Sequence, residues 1–197
     1  MIKLVGTRKN RTLRVLWMLE ELGIEYEHIP AAPRSEDATR YVASGKVPAL
    51  IVDGSIISDS VAIMTYLADS HGQFTFPAGS LERAIQDSHT QFLCDEFDAC
   101  LWAATRHTFI LPEEHRIPEV KESLKWEFER SLARFMDRLG DGPFLMGDTM
   151  TIADIVAGHC GNWAANAGFP LKSQPGFQTY TDRLRERPAY KRAIEID

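Results

Sequence analysis

The spacing of apolar residues changes character near residue 71. Before it, short apolar runs alternate with amphipathic stretches. Ile2 to Val5 reads as a strand that stops at Gly6. Val15, Met18, Leu19 and Leu22 stand at i, i+3, i+4 and i+7, which predicts a helix over Leu13–Leu22. Leu16 and Trp17 add apolar surface on another side, so this helix should be covered on more than one face. Gly23 suits the left-handed C′ position, with Ile24 for the apolar contact that follows it, and Asn10 or Thr12 is the N-cap candidate. Tyr26 to Ile29 is a second strand and Ser35 to Val42 a short helix. Ala49–Val52 and Ile56-Ile57 then form a hairpin across Asp53-Gly54. A helix from Ser60 to about Ser70 completes a β-α-β-α-β-β-α order.

After His71 the segment GQFTFPAGS reads as a linker, and everything beyond it has a helical pattern. One long helix spans Leu81 to about Thr108. Pro112 and Pro118 bracket a loop before a second, Glu119 to Leu139, which Asp141-Gly142-Pro143 breaks. Thr151 and Asp154 have the form of a capping box opening a helix to about Ala167. Pro170 and Pro175 precede a shorter helix to Arg185, and Pro188 opens a final one. The pattern predicts an α/β domain over residues 1–76 and an all-α helical domain over 77–197.

The segment SGKVPALIVDGSIISDS, Ser44 to Ser60, carries two features that suit a ligand. Pro48 has no N–H for a ladder, so the strand it opens should lie at a sheet edge or start irregularly. An irregular start leaves the backbone groups of Val47 free to pair with an extended peptide. Asp59-Ser60 opens a helix, whose N-terminus offers N–H groups and the positive end of its dipole to a carboxylate. The plain alternatives are a strand terminus at Pro48 and N-capping at Asp59-Ser60, worth about 0.5–2 kcal/mol. Capping by Ser60 would still leave its backbone N–H for a ligand.

Composition narrows the function classes. An apolar fraction of 44% and a charged fraction of 25% over 197 residues are those of an ordinary globular protein with a sizeable core. A net charge of -6 argues against general binding to nucleic acid or an anionic membrane. Residues 1–76 are nearly balanced, 8 Lys/Arg against 9 Asp/Glu, and Arg8, Lys9, Arg11 and Arg14 cluster there without an acid before Glu20. A solvated loop is the plain account of that cluster. Cys94, Cys100 and Cys160 form no CxxC, and no His pair stands near them at metal spacing. Buried structural thiols, no metal and a reducing compartment follow. With no signal-like N-terminus and no apolar run of membrane length, a cytoplasmic location is expected.

Five pieces, LRVLWMLEELGIEYE, SGKVPALIVDG, SDSVAIMTYLADS, FLMGDTMTIADI and RLRERPAYKRA, resemble those of the soluble glutathione transferases, especially the bacterial ones, in order and spacing. The resemblance covers nearly the whole chain. It implies a thioredoxin-like domain plus a helical domain, and a homodimer that binds glutathione in the first domain and a small hydrophobic electrophile between the two. Position by position, it implies that Val47, before a cis Pro48, pairs by backbone with the cysteinyl part of glutathione. Lys46 would then lie near the glycine end. Asp59-Ser60, usually Glu-Ser, would hold the γ-glutamyl amino and carboxylate groups, with Asp one methylene shorter. Trp102, Arg106 and Phe109 lie where relatives build the electrophile pocket, although aromatics at helical spacing are as often core. Trp163 reads as core. His89, His107, His115 and His159 read as surface or packing residues.

The chemistry such a protein must supply is thiolate formation. A thiol with a pKa near 8.5 is only a few per cent ionised at neutral pH, and lowering it by about two units takes roughly 2.7 kcal/mol. Many relatives place Ser, Cys or Tyr in the loop after the first strand. Here that loop is Thr7-Arg8-Lys9-Asn10-Arg11-Thr12 and has none of these. Against bacterial sequences of the form S-P-x-S-R-x-x-R-V, Asn10 stands at the second Ser. Other subfamilies align the activating residue with Lys9 or Arg11, and Thr7 is a hydroxyl alternative. Asn10 has N-capping as its plain alternative. The missing residues motivate a second reading, a glutathione-binding or protein-interaction module with little catalysis. A thiol–disulfide reductase is disfavoured because all three cysteines lie in the helical part, and a maleylacetoacetate isomerase because its Ser-rich loop is absent.

Overall fold

The computed structural model describes residues 1–196. They form two compact units, Met1–Ala78 with the C-terminal tail from Arg185, and Gly79–Leu184. The first unit is a thioredoxin-like α/β domain. Its four-stranded sheet has the order β2-β1-β3-β4, with β1 Ile2–Val5, β2 Glu27–Ile29, β3 Ala49–Val52 and β4 Ser55–Ser58. β1 runs parallel to β2 and antiparallel to β3, and β3 antiparallel to β4. Helices α1 (Thr12–Leu22), α2 (Glu36–Tyr41) and α3 (Ser60–His71) connect and cover it. The β3–β4 turn has positive φ at both Asp53 and Gly54, as a type I′ hairpin requires.

β3 is an interior strand, so the edge position considered for Pro48 is not adopted. The irregular start is. The Val47-Pro48 peptide is cis, and pairing with both neighbours begins at Ala49, which leaves the proline outside the ladder.

Val15, Leu16, Trp17, Met18 and Leu19 are all buried, as the two apolar sides of α1 demand. One side packs on α3. The other takes α9 (Pro188–Ala193), the final helix that the linker-based division leaves with the helical part. Trp17 meets the Tyr190 ring edge-on at 4.9 Å, Arg187 grips Glu21 with two nitrogens at 2.5 and 2.8 Å, and Arg192 Nε reaches Glu20 at 2.6 Å. A helix apolar on two sides needs two covers, and the C-terminal tail is the second.

In the second unit, α4 (Leu81–Phe92) runs through a π-wound stretch (Leu93–Asp98) into α5 (Ala99–Thr105) and a second π turn (Arg106–Ile110). The single long helix predicted over Leu81–Thr108 is therefore continuous but twice loosened. α6 (Val120–Leu139), α7 (Ile152–Asn166) and α8 (Pro175–Arg185) surround it. Phe97, on the first π turn, is the hub of the core, with ring centroids of Phe128, Phe135 and Phe177 at 4.7, 5.7 and 6.0 Å. Trp163 is half-buried rather than core, and its indole N–H donates to Thr105 Oγ1 at 3.2 Å.

His89, on α4, is buried with its Nδ1 unpartnered. Burial, aided by the Arg138 charge, lowers its pKa. The unfolded chain therefore takes up this proton at a higher pH than the folded one. Stability is fully present above the unfolded value of about 6.5 and is lost as pH falls through the lowered folded pKa. In urea titrations at pH values from about 6.5 down to 5, wild type is expected to lose more stability than His89→Gln does over the same range; parallel curves would rule His89 out as a source.

Candidate functional site

The sheet register gathers the candidate residues. Ala49, first in β3, pairs with Val5, last in β1, and with Ser58, last in β4. The three segments that flank these residues, Gly6–Thr12, Lys46–Pro48 and Asp59–Ser60, therefore all leave the sheet at the same end.

At β3, Val47 is half-buried and Lys46 exposed, while Pro48 is buried. Among the described residues no backbone hydrogen bond engages the Val47 N–H or C=O, so both are open to an added strand. Gly45 anchors the loop before it. Its φ is +62, its N–H donates to Val42 O and its C=O accepts from Arg34 N at 2.8 Å. A Cβ there would lie 2.7 Å from Arg34 Cα, so no other residue fits.

At α3 the cap is Asp59, not Ser60. Asp59 takes a positive φ of 77, which non-glycine residues rarely adopt, and Oδ1 accepts from Val61 N at 2.9 Å and Ala62 N at 3.3 Å. Its C=O takes Ile63 N, which leaves Ser60 N–H as the one free donor of the first turn among the described residues. Asp59 is exposed and its Oδ2 enters neither cap bond. Ser60 is buried, and its Oγ accepts from Arg14 Nη1 at 3.3 Å. Arg14 is the residue sequence reasoning missed in this role. It reads there as one more charge in a basic cluster, and only the packing of α1 on α3 places it behind Ser60.

At α1 the helix N-terminus is already satisfied from within. Thr12 N donates to Asn10 Oδ1 at 2.9 Å, Leu13 N to Asn10 O and Arg14 N to Arg11 O. The N-cap position falls at Arg11, whose side chain makes no cap hydrogen bond, rather than at Asn10 or Thr12; Asn10, one residue earlier, supplies the side-chain acceptor for Thr12, the first helical residue. The opposite edge of the Asn10 amide, Nδ2, reaches Thr7 Oγ1 at 3.4 Å. That leaves the Thr7 hydroxyl proton and a second amide proton on Nδ2 for a ligand. Arg8 and Lys9 are exposed, and Arg11 is half-buried.

In the second unit, Trp102 is half-buried on α5, while Arg106 and Phe109 on the following π turn are exposed, Phe109 to 63%. Asp95, Glu96, Cys100, Glu127 and Trp126 line a separate groove of about 420 Å³. Burial, with the charges of Glu127, Glu96 and Asp95, pushes the Cys100 thiol up to about 11, so it is protonated at neutral pH. Of the four singled-out histidines, His89 and His159 are buried, His107 half-buried and His115 exposed. Among the described residues no group of His, Cys, Asp or Glu is arranged to hold a metal ion, and no helix is long and apolar enough to cross a membrane.

Comparison with known proteins gives a consistent answer. Residues 11–70 match the family model for the glutathione S-transferase N-terminal domain, and residues 97–188 that for the C-terminal domain. Glutathione S-transferase GstA of Escherichia coli O157:H7 is 28% identical over 170 residues, covering 83% of this chain and 81% of its own. The crystal structure of a glutathione transferase from Methylococcus capsulatus superposes with a TM-score of 0.87 at 25% identity, over 99% of this chain and 98% of that one. A sphingomonad glutathione S-transferase complexed with glutathione gives a TM-score of 0.83 at 26% identity, over 98% of this chain and 97% of that one.

Proposed function

This chain belongs to the soluble glutathione transferase family, and we propose that it conjugates the glutathione thiolate to a small hydrophobic electrophile. The observation that carries the binding half is the convergence of Val47, Asp59-Ser60 and the Thr7–Thr12 loop at one end of the sheet. Each offers what one part of the tripeptide needs. The open N–H and C=O of Val47, next to Pro48, pair with the cysteinyl residue as an added strand. Ser60 N–H receives the γ-glutamyl carboxylate, and the free Oδ2 of Asp59 faces its ammonium. Lys46 serves the glycine carboxylate. The buried Arg14 holds the Ser60 hydroxyl and places a positive charge behind the carboxylate's seat.

The thiol falls to the β1–α1 loop. With the N–H groups of Thr12, Leu13 and Arg14 already bonded, the side-chain donors that the loop offers a thiolate are Asn10 Nδ2 and Thr7 Oγ1. The helix dipole and the charges of Lys9 and Arg11 add favourable field. Trp102, Arg106 and Phe109 supply the apolar and cationic surface for the electrophile. The protein works as a cytoplasmic homodimer in detoxification and needs no metal.

Glutathione titration followed by conjugation assays on a panel of electrophiles tests this reading. Asp59→Ala is expected to weaken glutathione binding roughly tenfold or more, as loss of a charge-assisted contact does, beyond a cap loss of about 1 kcal/mol in stability. Unchanged affinity would remove Asp59 from the site. The lack of Ser, Cys and Tyr in the loop favours one other reading, a glutathione-binding module, and tight binding with no conjugation across the panel would select it.

A further inference from the structure

We propose that Thr12 is a positioning residue for the thiolate: its buried hydroxyl, acting with its backbone N–H, holds the Asn10 amide so that the Nδ2 edge faces the ligand. This rests on the reading that Asn10 Nδ2 donates to the glutathione thiolate. An asparagine amide can turn over about its last bond, and the two orientations are opposites chemically, one presenting two N–H donors and the other an acceptor that repels an anion. The Thr12 backbone N–H, 2.9 Å away, is an unambiguous donor and calls for Oδ1 on its side. The Thr12 hydroxyl lies 2.7 Å from the same oxygen, and the two donors together hold it inward. Nδ2 is thereby turned toward Thr7 and the open side of the loop.

The hydroxyl is confined to this task. Thr12 is fully buried, and among the described residues its hydroxyl has this one hydrogen bond. Gly6 closes the slot from below: at φ +136, a Cβ there would come within 2.2 Å of Thr12 Oγ1. The end of β1 therefore lies directly on the hydroxyl, water is kept from it, and its proton has only Asn10 Oδ1 to go to. Gly6, Asn10 and Thr12 thus act as a unit in which glycine supplies room, threonine orientation and asparagine the donor. A methyl in place of the hydroxyl would bring carbon to 2.7 Å of Oδ1, closer than the 3.5–4.0 Å optimum for carbon contacts, and would push the amide outward.

The test uses the intact chain with glutathione and Thr12→Val, Thr12→Ser and Asn10→Ala variants. The ultraviolet absorbance of bound thiolate is followed against pH, with glutathione Kd and melting temperature measured alongside. Thr12→Val is expected to raise the thiolate midpoint by about one unit and lower kcat/KM about tenfold, with Kd within twofold of wild type. Thr12→Ser is expected to restore both. A purely structural role would lower the melting temperature without moving the midpoint, and that outcome overturns the proposal. If Asn10→Ala itself leaves the midpoint unmoved, the donor reading of Asn10 fails first. If Asn10→Ala moves it and Thr12→Val does not, the positioning role alone is refuted.

Discussion

Asp154→Ala is expected to destabilise the helical unit by about 4 kcal/mol, several times the loss of an ordinary helix cap. The sequence identifies Thr151 and Asp154 as a capping box, worth about 1 kcal/mol. The structure adds two partners from outside the box. Asp154 is fully buried and its Oδ1 accepts from Leu145 N at 3.0 Å and from the Tyr180 hydroxyl at 2.8 Å, while Oδ2 accepts from Thr151 N at 2.8 Å and Thr151 Oγ1 at 3.3 Å. One carboxylate therefore joins the Phe144–Thr149 turn region, the start of α7 and the middle of α8. Burial pushes its pKa up, and the four donors pull against that.

Truncation to alanine leaves Leu145 N–H and the Tyr180 hydroxyl buried without an acceptor, at about 1–3 kcal/mol each, on top of the lost cap. Asp154→Asn keeps the shape and one acceptor, and is expected to lose about half as much. Urea midpoints, or a melting temperature about 10 °C lower for the alanine variant, would register the effect. Activity measured well below the melting temperature should be retained. A loss under 1 kcal/mol would reduce Asp154 to a cap, and abolished activity with unchanged melting would make it part of the chemistry.

The second large effect concerns Asn10. Asn10→Ala is expected to lower kcat/KM by about 10²-fold, the loss typical of removing one preorganised donor from a developing or bound anion. The bound thiol should then ionise closer to its free value of about 8.5. Two roles are superimposed on this side chain, because Oδ1 caps Thr12 N while Nδ2 faces the loop. Asn10→Asp separates them. An aspartate caps as well as an asparagine, so the melting temperature should hold, but it offers an anion where the thiolate needs a donor. Full activity in Asn10→Asp would leave the residue as a cap only.

How far these roles are legible before folding differs between the two ends of the site. Asp59 and Ser60 can be picked out because a helix start has a local signature, yet which of the two caps cannot. That depends on Asp59 taking a positive φ of 77, from which its Oδ1 reaches Val61 N and Ala62 N. Asn10 is visible as a cap candidate from its type alone. That its amide also has a defined outward edge depends on the Thr12 hydroxyl and on Gly6 beneath it, an arrangement made by the meeting of β1 and α1.

By itself the sequence determined the elements, their order, the two-part α/β and helical organisation, the hairpin turn and the irregular start at Pro48. These follow from periodicity and from the fixed stereochemistry of Gly and Pro, which act over a few neighbouring bonds. Only the tertiary structure decided that β3 is interior, that α9 covers the second face of α1, that Arg14 stands behind Ser60, and that Asp154 also accepts from Leu145 N and the Tyr180 hydroxyl outside its capping box. Each of these joins residues far apart in the chain, and such pairings are set by which apolar faces remain to be covered and which buried polar groups remain to be satisfied once the local elements exist.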